Sequence, residues 1–316
     1  MKSTLAVAGC FVWLALLAPA TAFSSEALVT NQVSDSLSFV DLVTMKSTAE
    51  IKIGGKSAGI ALSPDKTKAY VTAPDGQELV EVDAVKREVT RRLKLGGGPL
   101  GIAAHPTKAE AYVADWYAHK VTIVDTEKLE KVAEIPVGQS PSGLAVTPDG
   151  TLLLSADRDS NQVSFIDLTK REVIATVPTG ERPFGVTIDA SGRLAYTANV
   201  ASDDVTVIDI ATRTVVGTVK VGHRPYAVEI SAGYGFVTNQ GEGTISVFQP
   251  GTGNIVKTIE ACDHPEGIQR HDDLNAAIYI ACWGDNVLLQ LDPRALAITG
   301  KAAVGDGPRA FGKFLR

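Results

Sequence analysis

Short runs of alternating apolar and polar residues, separated by turn-forming residues, make up most of the chain. In residues 99–137 such runs predict four strands, at 100–104, 111–114, 121–125 and 132–137. Alternation with a period of two and many β-branched residues are typical of half-buried strands. Helical periodicity does not extend over any useful length. The pattern therefore predicts an all-β fold.

Two sequence markers recur with the same spacing. The first is a polar residue, usually Asp, that follows an apolar residue in the third strand of each unit, and the second is a proline before the first strand. The first marker stands at Asp41, Asp83, Asp125, Asp167, Asp209, Gln249 and Asp292. The second stands at Pro99, Pro141, Pro183, Pro225, Pro265 and Pro308, with Ser57 in its place in the first unit. Both series step by 42 residues four times and then by 40 and 43, which divides the chain into seven units.

Four short strands in a unit of about forty residues are typical of a β-propeller blade. Solenoid repeats, the alternative, usually carry a helix or have a shorter period. The seven units therefore predict a seven-bladed β-propeller with four antiparallel strands per blade. Leu28–Asn31 has the pattern of a second strand and residues 310–315 that of a first strand. We expect the N- and C-terminal strands to close the last blade together, which removes the open sheet edge.

The first 22 residues have the features of a secretory signal peptide. Met1-Lys2 supplies a positive start, an apolar stretch runs from Leu5 to Leu17, and small residues Ala20 and Ala22 suit cleavage after Ala22. The apolar stretch is short for a membrane anchor. Lipidation at Cys10 is the other alternative, but most of the apolar stretch follows that cysteine. We predict a signal peptide at 1–22 and one propeller domain at 23–316, exported to the periplasm or outside the cell and without a membrane span after cleavage.

Charge and cysteine content narrow the classes of function. The chain has 30 Lys and Arg against 36 Asp and Glu, a net charge of -6, and no basic run, so nucleic acid is not an expected partner. With three cysteines it is not a disulfide scaffold.

Cys262 precedes the first strand of a unit and Cys282 ends the second. Antiparallel neighbours would bring these ends together, so we predict a disulfide between them in an oxidising compartment. Covalent c-type haem is not expected, since Cys-x-x-Cys-His is absent from the sequence.

The second strand of several units carries a family resemblance. It is written Leu28-Val29-Thr30-Asn31, Tyr70-Val71-Thr72-Ala73, Tyr112-Val113-Ala114-Asp115 and Phe236-Val237-Thr238-Asn239. With the spaced Asp and Pro markers, this resembles the YVTN-type repeat of WD40/YVTN-like propellers over residues 27–316. Similar proteins include surface-layer and periplasmic proteins, and more distant ones include quinoprotein dehydrogenase subunits, haem d1-binding propellers and lactonases.

The resemblance implies where a site would lie. The loop that enters each innermost strand and the loop between the second and third strands are expected to open on one face, around the axis. On these loops the ligand-binding candidates are Arg182, Arg224, Arg309, His223, His264, Glu266, Asp115, Trp116, Asn199, Asn239 and Trp283. Rigid scaffolds commonly carry binding residues on such loops. The alternative is an ordinary polar, solvated face.

Two groups of these candidates suggest specific chemistry. Arg182, Arg224 and Arg309 fall at or beside the marker proline in different blades, so together they would suit a carboxylate or phosphate ligand. Asp263, His264 and Glu266, together with His223, are of metal-binding types, but they lie on different loops without a tight motif, so we predict no metal site. The sequence assigns neither a catalytic residue nor a cofactor.

The resulting prediction is an exported binding or interaction propeller. Its partner would be a periplasmic protein or a small anionic ligand at the axial mouth. The alternative is an enzyme or cofactor carrier, either a quinoprotein- or haem d1-associated propeller or a metal-dependent, lactonase-like hydrolase.

Overall fold

The computed structural model describes residues 25–316, which form seven sheets arranged around an axis. Each sheet forms a blade whose consecutive strands are antiparallel neighbours, and one sheet also receives a C-terminal strand in parallel. Blades 1 to 3 consist of β4(Gly59–Leu62), β5(Lys68–Ala73), β6(Glu78–Asp83) and β7(Glu88–Lys94); β8(Pro99–Ala104), β9(Glu110–Asp115), β10(Lys120–Asp125) and β11(Glu130–Pro136); and β12(Pro141–Val146), β13(Leu152–Asp157), β14(Gln162–Asp167) and β15(Glu172–Pro178). The predicted signal peptide lies outside the described residues.

The next three blades repeat this order. They consist of β16(Pro183–Ile188), β17(Leu194–Asn199), β18(Asp204–Asp209) and β19(Thr214–Lys220); β20(Pro225–Ser231), β21(Tyr234–Asn239), β22(Thr244–Phe248) and β23(Ile255–Glu260); and β24(Pro265–Arg270), β25(Ile278–Cys282), β26(Val287–Asp292) and β27(Ala297–Ala303). The first strands of neighbouring blades lie beside one another and are therefore innermost. The predicted seven-bladed, all-β architecture is confirmed.

Blade 7 is shared between the two ends of the described chain. Three of its strands are β1(Glu26–Asn31), β2(Ser36–Asp41) and β3(Lys46–Lys52), and the C-terminal segment, which includes β28(Phe311–Gly312), supplies the innermost one. The amide of Leu28 donates to the Phe314 carbonyl at 2.9 Å, and the amide of Arg309 donates to the Thr30 carbonyl at 2.8 Å. β28 also pairs in parallel with β4 of blade 1. The predicted closure is confirmed.

The Asp marker has a local structural cause. A β-bulge lies just before it in the pairing of the third and fourth strands, for example between Phe39 and Val40. The Asp41 carboxylate then accepts the amides of Val43 and Thr44 at 3.0 and 2.7 Å, which closes the turn to the fourth strand. Asp83, Asp167 and Asp292 each accept two turn amides in the same way. The repeated Asp thus caps a hairpin and is a residue of the fold.

Glycines set how closely the innermost strands approach. Gly101 follows the marker proline by two residues, and a Cβ placed on it would lie 1.7 Å from the Ser142 carbonyl oxygen of the next blade. Gly143 would meet the Phe184 carbonyl oxygen at 2.5 Å, and Gly267 would meet that of Ala310 at 2.2 Å. Any larger residue would push neighbouring innermost strands apart, because the opposing atoms belong to the backbone.

Apolar side chains between adjacent sheets form the core, and large ones such as Phe39, Tyr112 and Phe236 are fully buried. The predicted disulfide is confirmed: Cys262 and Cys282 are bonded, with Cα atoms 5.9 Å apart. It ties the loop before β24 to the end of β25. The helical elements of residues 25–316 are two 3-10 turns of three residues each. Neither is long enough to cross a membrane.

Candidate binding sites at the two ends of the axis

Repeated hydrogen bonds hold the loops of one face together. Entry loops lead into the innermost strands, and the amides of Lys56, Arg182 and Arg224 in these loops donate to side chains of the loop between second and third strands. The acceptors are Asp35, Asn161 and Asp203, at 2.7, 2.8 and 2.9 Å. Donor and acceptor are 21 residues apart each time, half of the repeat. Both kinds of loop therefore share one face, named here the entry-loop face.

The backbone of the entry loops turns sharply at this hydrogen bond. Arg182, Arg224 and His264 have positive φ angles of 57°, 53° and 54°. Residues other than glycine rarely adopt this conformation, so the loop contacts must stabilise it. The Arg182 side chain is 55% exposed and lies 3.9 Å from Asp159. His223 and Arg224 are also exposed, and His223 contacts Asp203 at 3.2 Å. These predicted candidates reach the solvent at the face.

Aromatic side chains close the axis beneath the entry-loop face. Phe184 of blade 4 lies 4.5 Å from Tyr226 of blade 5 and 5.1 Å from Phe311 of blade 7, measured between ring centroids. Blades 4 and 7 are not neighbours, so the contact crosses the axis. The Trp116 ring lies 6.3 Å from that of Phe184, between centroids. We name Phe184, Tyr226 and Phe311 the aromatic plug.

A buried ion pair completes this layer. Arg309 Nε donates to Glu266 Oε2 at 2.7 Å, its Nη2 donates to the Tyr226 hydroxyl at 3.1 Å, and Gln240 donates to Glu266 Oε1 at 2.7 Å. Burial alone would lower the pKa of Arg309, but Tyr226 and Glu266 outweigh it and raise that pKa. Burial raises the pKa of Tyr226. The Arg309 charge is therefore satisfied within the protein.

The three predicted arginines do not share one environment. Arg182 and Arg224 precede the marker proline and are exposed, whereas Arg309 follows it and points to Glu266. Consequently Arg182 and Arg224 are the members of this group available to a ligand at the surface.

Three other candidates lie inside the hairpins that build the face. Asn199 Nδ2 donates to Asp204 Oδ1 at 2.7 Å, and Asn239 Nδ2 donates to Ser246 Oγ at 2.8 Å; both asparagines are fully buried. Asp115 accepts the amides of Gly98 and Tyr117 at 2.9 and 3.1 Å. These contacts hold the loops in position and occupy both amide nitrogens and Asp115 Oδ1. Within residues 25–316, the Oδ1 atoms of Asn199 and Asn239 are buried without a hydrogen-bond partner.

The residues weighed as metal ligands have other partners. Glu266 binds Arg309, His223 contacts Asp203, and His264 Nδ1 lies 2.5 Å from Asp263 Oδ1. The His264 ring meets Trp283 edge-on at 6.0 Å. Within residues 25–316, no three His, Cys, Asp or Glu side chains converge as metal ligands would. The residues of this face do not fit a divalent ion.

Half-buried and exposed aromatic and cationic side chains lie on the entry-loop face around Trp116. The Arg158 guanidinium stacks over the Trp116 ring at 5.2 Å. Tyr117, next in sequence, is 74% exposed. Together with Arg182 and Arg224 they form a surface rich in Trp, Tyr and Arg, the residue types enriched where proteins bind one another.

The opposite end of the axis has a cavity that the sequence analysis missed. It has a volume of about 310 Å³, is lined by innermost strands, and extends from Phe311 of the plug to the turns at Pro106 and Pro148. Its charged lining residues are Glu229 and Lys313. The sequence did contain a signal for this cavity: Glu229 is charged, whereas the other units have uncharged residues at its position in the repeat. The equivalent residues in the other six units are Ala61, Ala103, Ala145, Thr187, Gln269 and Gly312.

Comparisons with known proteins agree with this architecture. The family model described as lactonase, 7-bladed beta-propeller, matches residues 60–220, just over half of the chain. The chain is similar to hydrazine synthase of Kuenenia stuttgartiensis, with 21% identity and a TM-score of 0.73 over 81% of this chain and 89% of that one. It is also similar to a functionally unknown protein of Desulfotomaculum acetoxidans, with 17% identity and a TM-score of 0.76 over 91% and 99%.

A third similar structure is dihydro-heme d1 dehydrogenase NirN in complex with DHE, with 13% identity and a TM-score of 0.68 over 93% of this chain and 75% of that one. At these identities the likeness to solved structures concerns the fold alone. No curated protein sequence matches the chain. The family match and the seven closed blades lead to one conclusion: the chain belongs to the lactonase seven-bladed β-propeller family.

Proposed function

We propose that this protein is an exported binding propeller that docks a partner protein on its entry-loop face. The observation that carries this proposal is the aromatic plug, which fills the axis at this face and leaves a surface with exposed Tyr117, Arg182 and Arg224. Small-molecule sites are usually concave, whereas protein interfaces are broad and anchored by Trp, Tyr and Arg. A protein fits this face better than a small anionic ligand does.

Export is part of the proposal. The Cys262–Cys282 bridge supports it, because disulfides persist in oxidising compartments. The N-terminal sequence supports cleavage after Ala22. The mature protein purified from its native cells should begin at Phe23, which N-terminal sequencing or intact mass will test. The YVTN-type repeat stays a prediction beside the family assignment.

A matched pair of variants tests the partner site. Tyr117→Ala with Arg182→Ala removes an aromatic ring and a cation from the entry-loop face, and neither side chain is buried. Val85→Ala with Lys86→Ala removes an apolar residue and a cation from a turn at the opposite end. Affinity purification from native cells should recover a protein with the wild type and the control. Recovery with the first variant should fall about tenfold, corresponding to about 1.4 kcal/mol. Equal recovery with both variants would reject this face.

A small anionic ligand is the alternative occupant to be tested at the same face. Arg182 and Arg224 would supply its charge partners, because Arg309 is already paired with Glu266. Titration with inorganic phosphate and citrate, using wild type and Arg182→Ala with Arg224→Ala, measures this directly. Affinity that is unchanged in the double variant would exclude the arginines from anion binding.

Lactone hydrolysis is the second candidate function, favoured by the family match. The described residues show no converging metal-ligand set, so we derive no metal-dependent step. Assay against a panel of lactones, with and without added divalent cations, would detect this activity. A metal assay and a visible spectrum of protein purified from native cells would identify a resident ion or an absorbing cofactor.

A further inference from the structure

The cavity at the end opposite the entry-loop face has the form of a small-molecule site. About 310 Å³ lies between the aromatic plug and the turns that follow the innermost strands. Leu144, Val186 and Ile268 line its deeper part, and Phe311 bounds it toward the plug. Volumes of this order hold small ligands, and apolar walls favour an apolar group.

A buried carboxylate interrupts this apolar lining. Glu229 is 7% exposed and lines both this cavity and a neighbouring one of about 230 Å³. Its Oε1 accepts the amide of Ile230 at 3.0 Å. Among the described residues, it forms no ion pair. A buried carboxylate costs considerable free energy unless it is paired, so Glu229 is poised for a donor from outside the chain.

Cations lie at the rim near Glu229. Lys313 lines both cavities and Lys66 lines the smaller one; both residues lack an ion-pair partner among residues 25–316. Arg270, the other basic side chain of the smaller cavity, pairs with Asp272 at 3.2 Å. The rim therefore offers positive charge to an anionic group of a ligand that also carries a donor for Glu229.

We propose that this cavity binds a free α-amino acid with an apolar side chain. The side chain occupies the apolar part of the cavity, the ammonium group donates to Glu229, and the carboxylate faces Lys313. Each group of the ligand has one matching feature in the cavity. The apolar walls match the side chain, the buried carboxylate without an ion-pair partner among the described residues matches the ammonium group, and the lysine at the rim matches the carboxylate. The site is separated by the plug from the entry-loop face, so it is independent of the partner-binding proposal.

Three probes separate the parts of this proposal. Calorimetric titrations use L-leucine, isoamylamine, which lacks the carboxylate, and isocaproate, which lacks the ammonium group. The proteins are wild type, Glu229→Gln, Lys313→Met and the control Glu172→Gln on an exposed outer strand. Glu229→Gln should weaken leucine and isoamylamine about tenfold or more and leave isocaproate unchanged, as expected for loss of a charge-assisted bond. Lys313→Met should weaken leucine and isocaproate.

Each outcome decides the proposal. Absence of leucine binding to the wild type would overturn it, and so would leucine affinity unchanged in Glu229→Gln. Thermal unfolding of each variant reports whether it folds. If Glu229→Gln does not fold, Lys313→Met, which alters an exposed side chain, decides alone: unchanged leucine affinity there would reject the proposed orientation.

Discussion

Arg309 and Glu266 form a buried ion pair, 2.7 Å between Nε and Oε2, that joins the C-terminal innermost strand to blade 6 beside the axis. Their side chains are 17% and 3% exposed. They follow the marker proline by one residue in their respective blades, at the position that Phe184 and Tyr226 occupy in blades 4 and 5. The pair therefore continues the aromatic plug with charged groups and helps to join blade 7 to blade 6.

Breaking this pair on one side should destabilise the ring. Arg309→Met leaves a buried carboxylate without its cation, and we expect a loss of about 3–5 kcal/mol in the free energy of unfolding. Urea unfolding measures it. Arg309→Met combined with Glu266→Gln removes both charges and should recover part of the loss. A single variant as stable as the wild type would show that the pair contributes nothing to closure.

The glycine contacts of the innermost strands give a second prediction. Gly101→Ala places a methyl group against the Ser142 carbonyl oxygen, so blades 2 and 3 must move apart, and we expect at least about 2 kcal/mol of destabilisation. Gly217→Ala is the control, because its nearest neighbour is a Val207 side-chain atom at 3.9 Å. Thermal unfolding should separate the two variants. Equal effects would contradict the close approach of the innermost strands.

The bonds around Glu81 should make part of the free energy of unfolding depend on pH in the acid range. Burial alone would raise the pKa of Glu81, but bonds from Arg91, Thr90 and Lys68 outweigh burial and hold the pKa at about 2. Because this lies below the ordinary value of 4.5, the contribution is present above pH 4.5 and is lost as the pH falls toward about 2. It amounts to at most about 3 kcal/mol.

Urea unfolding between about pH 5 and pH 3 tests this contribution. Glu81→Gln should show a smaller loss of stability over that interval than the wild type does. The exposed control Glu172→Gln should keep the wild-type slope. A Glu81→Gln curve parallel to that of the wild type would mean that another group accounts for the acid sensitivity.

The disulfide should stabilise blade 6. It closes a segment with a sequence separation of 20, for which loop-closure entropy gives about 3 kcal/mol. Cys262→Ser with Cys282→Ser should lower the free energy of unfolding by about that amount, and reductant should have the same effect on the wild type. Titration of the Cys262 and Cys282 thiols in native protein without reductant would contradict the bridge.

The repeat made most of the fold predictable, because the same short-range chemistry recurs in each blade. Asp41 caps a hairpin and Gly101 allows an innermost strand to approach its neighbour, and both belong to spacings visible in the sequence. The closure of blade 7 followed from the strand patterns at residues 28–31 and 310–315, which are confirmed in contact.

The sites were less predictable, because residue type and loop position do not fix where a side chain points. Arg309 and Arg224 both lie beside a marker proline, but Arg309 follows its proline and points to Glu266, whereas Arg224 precedes its proline and is exposed. Asn199 has the polarity of a binding residue and instead holds its own hairpin. Glu229 was overlooked because it lies within a strand, although alanines occupy the equivalent position in blades 1 to 3.

Photocrosslinking in native cells tests the central claim, that the entry-loop face is the partner-binding surface. Benzoylphenylalanine replaces Tyr117 on that face in one strain and Val85 at the opposite end in another, and both positions are exposed. Irradiation should give a discrete covalent adduct with a second protein from position 117 and none from position 85. Adducts from position 85 alone, or from neither position, would contradict the account.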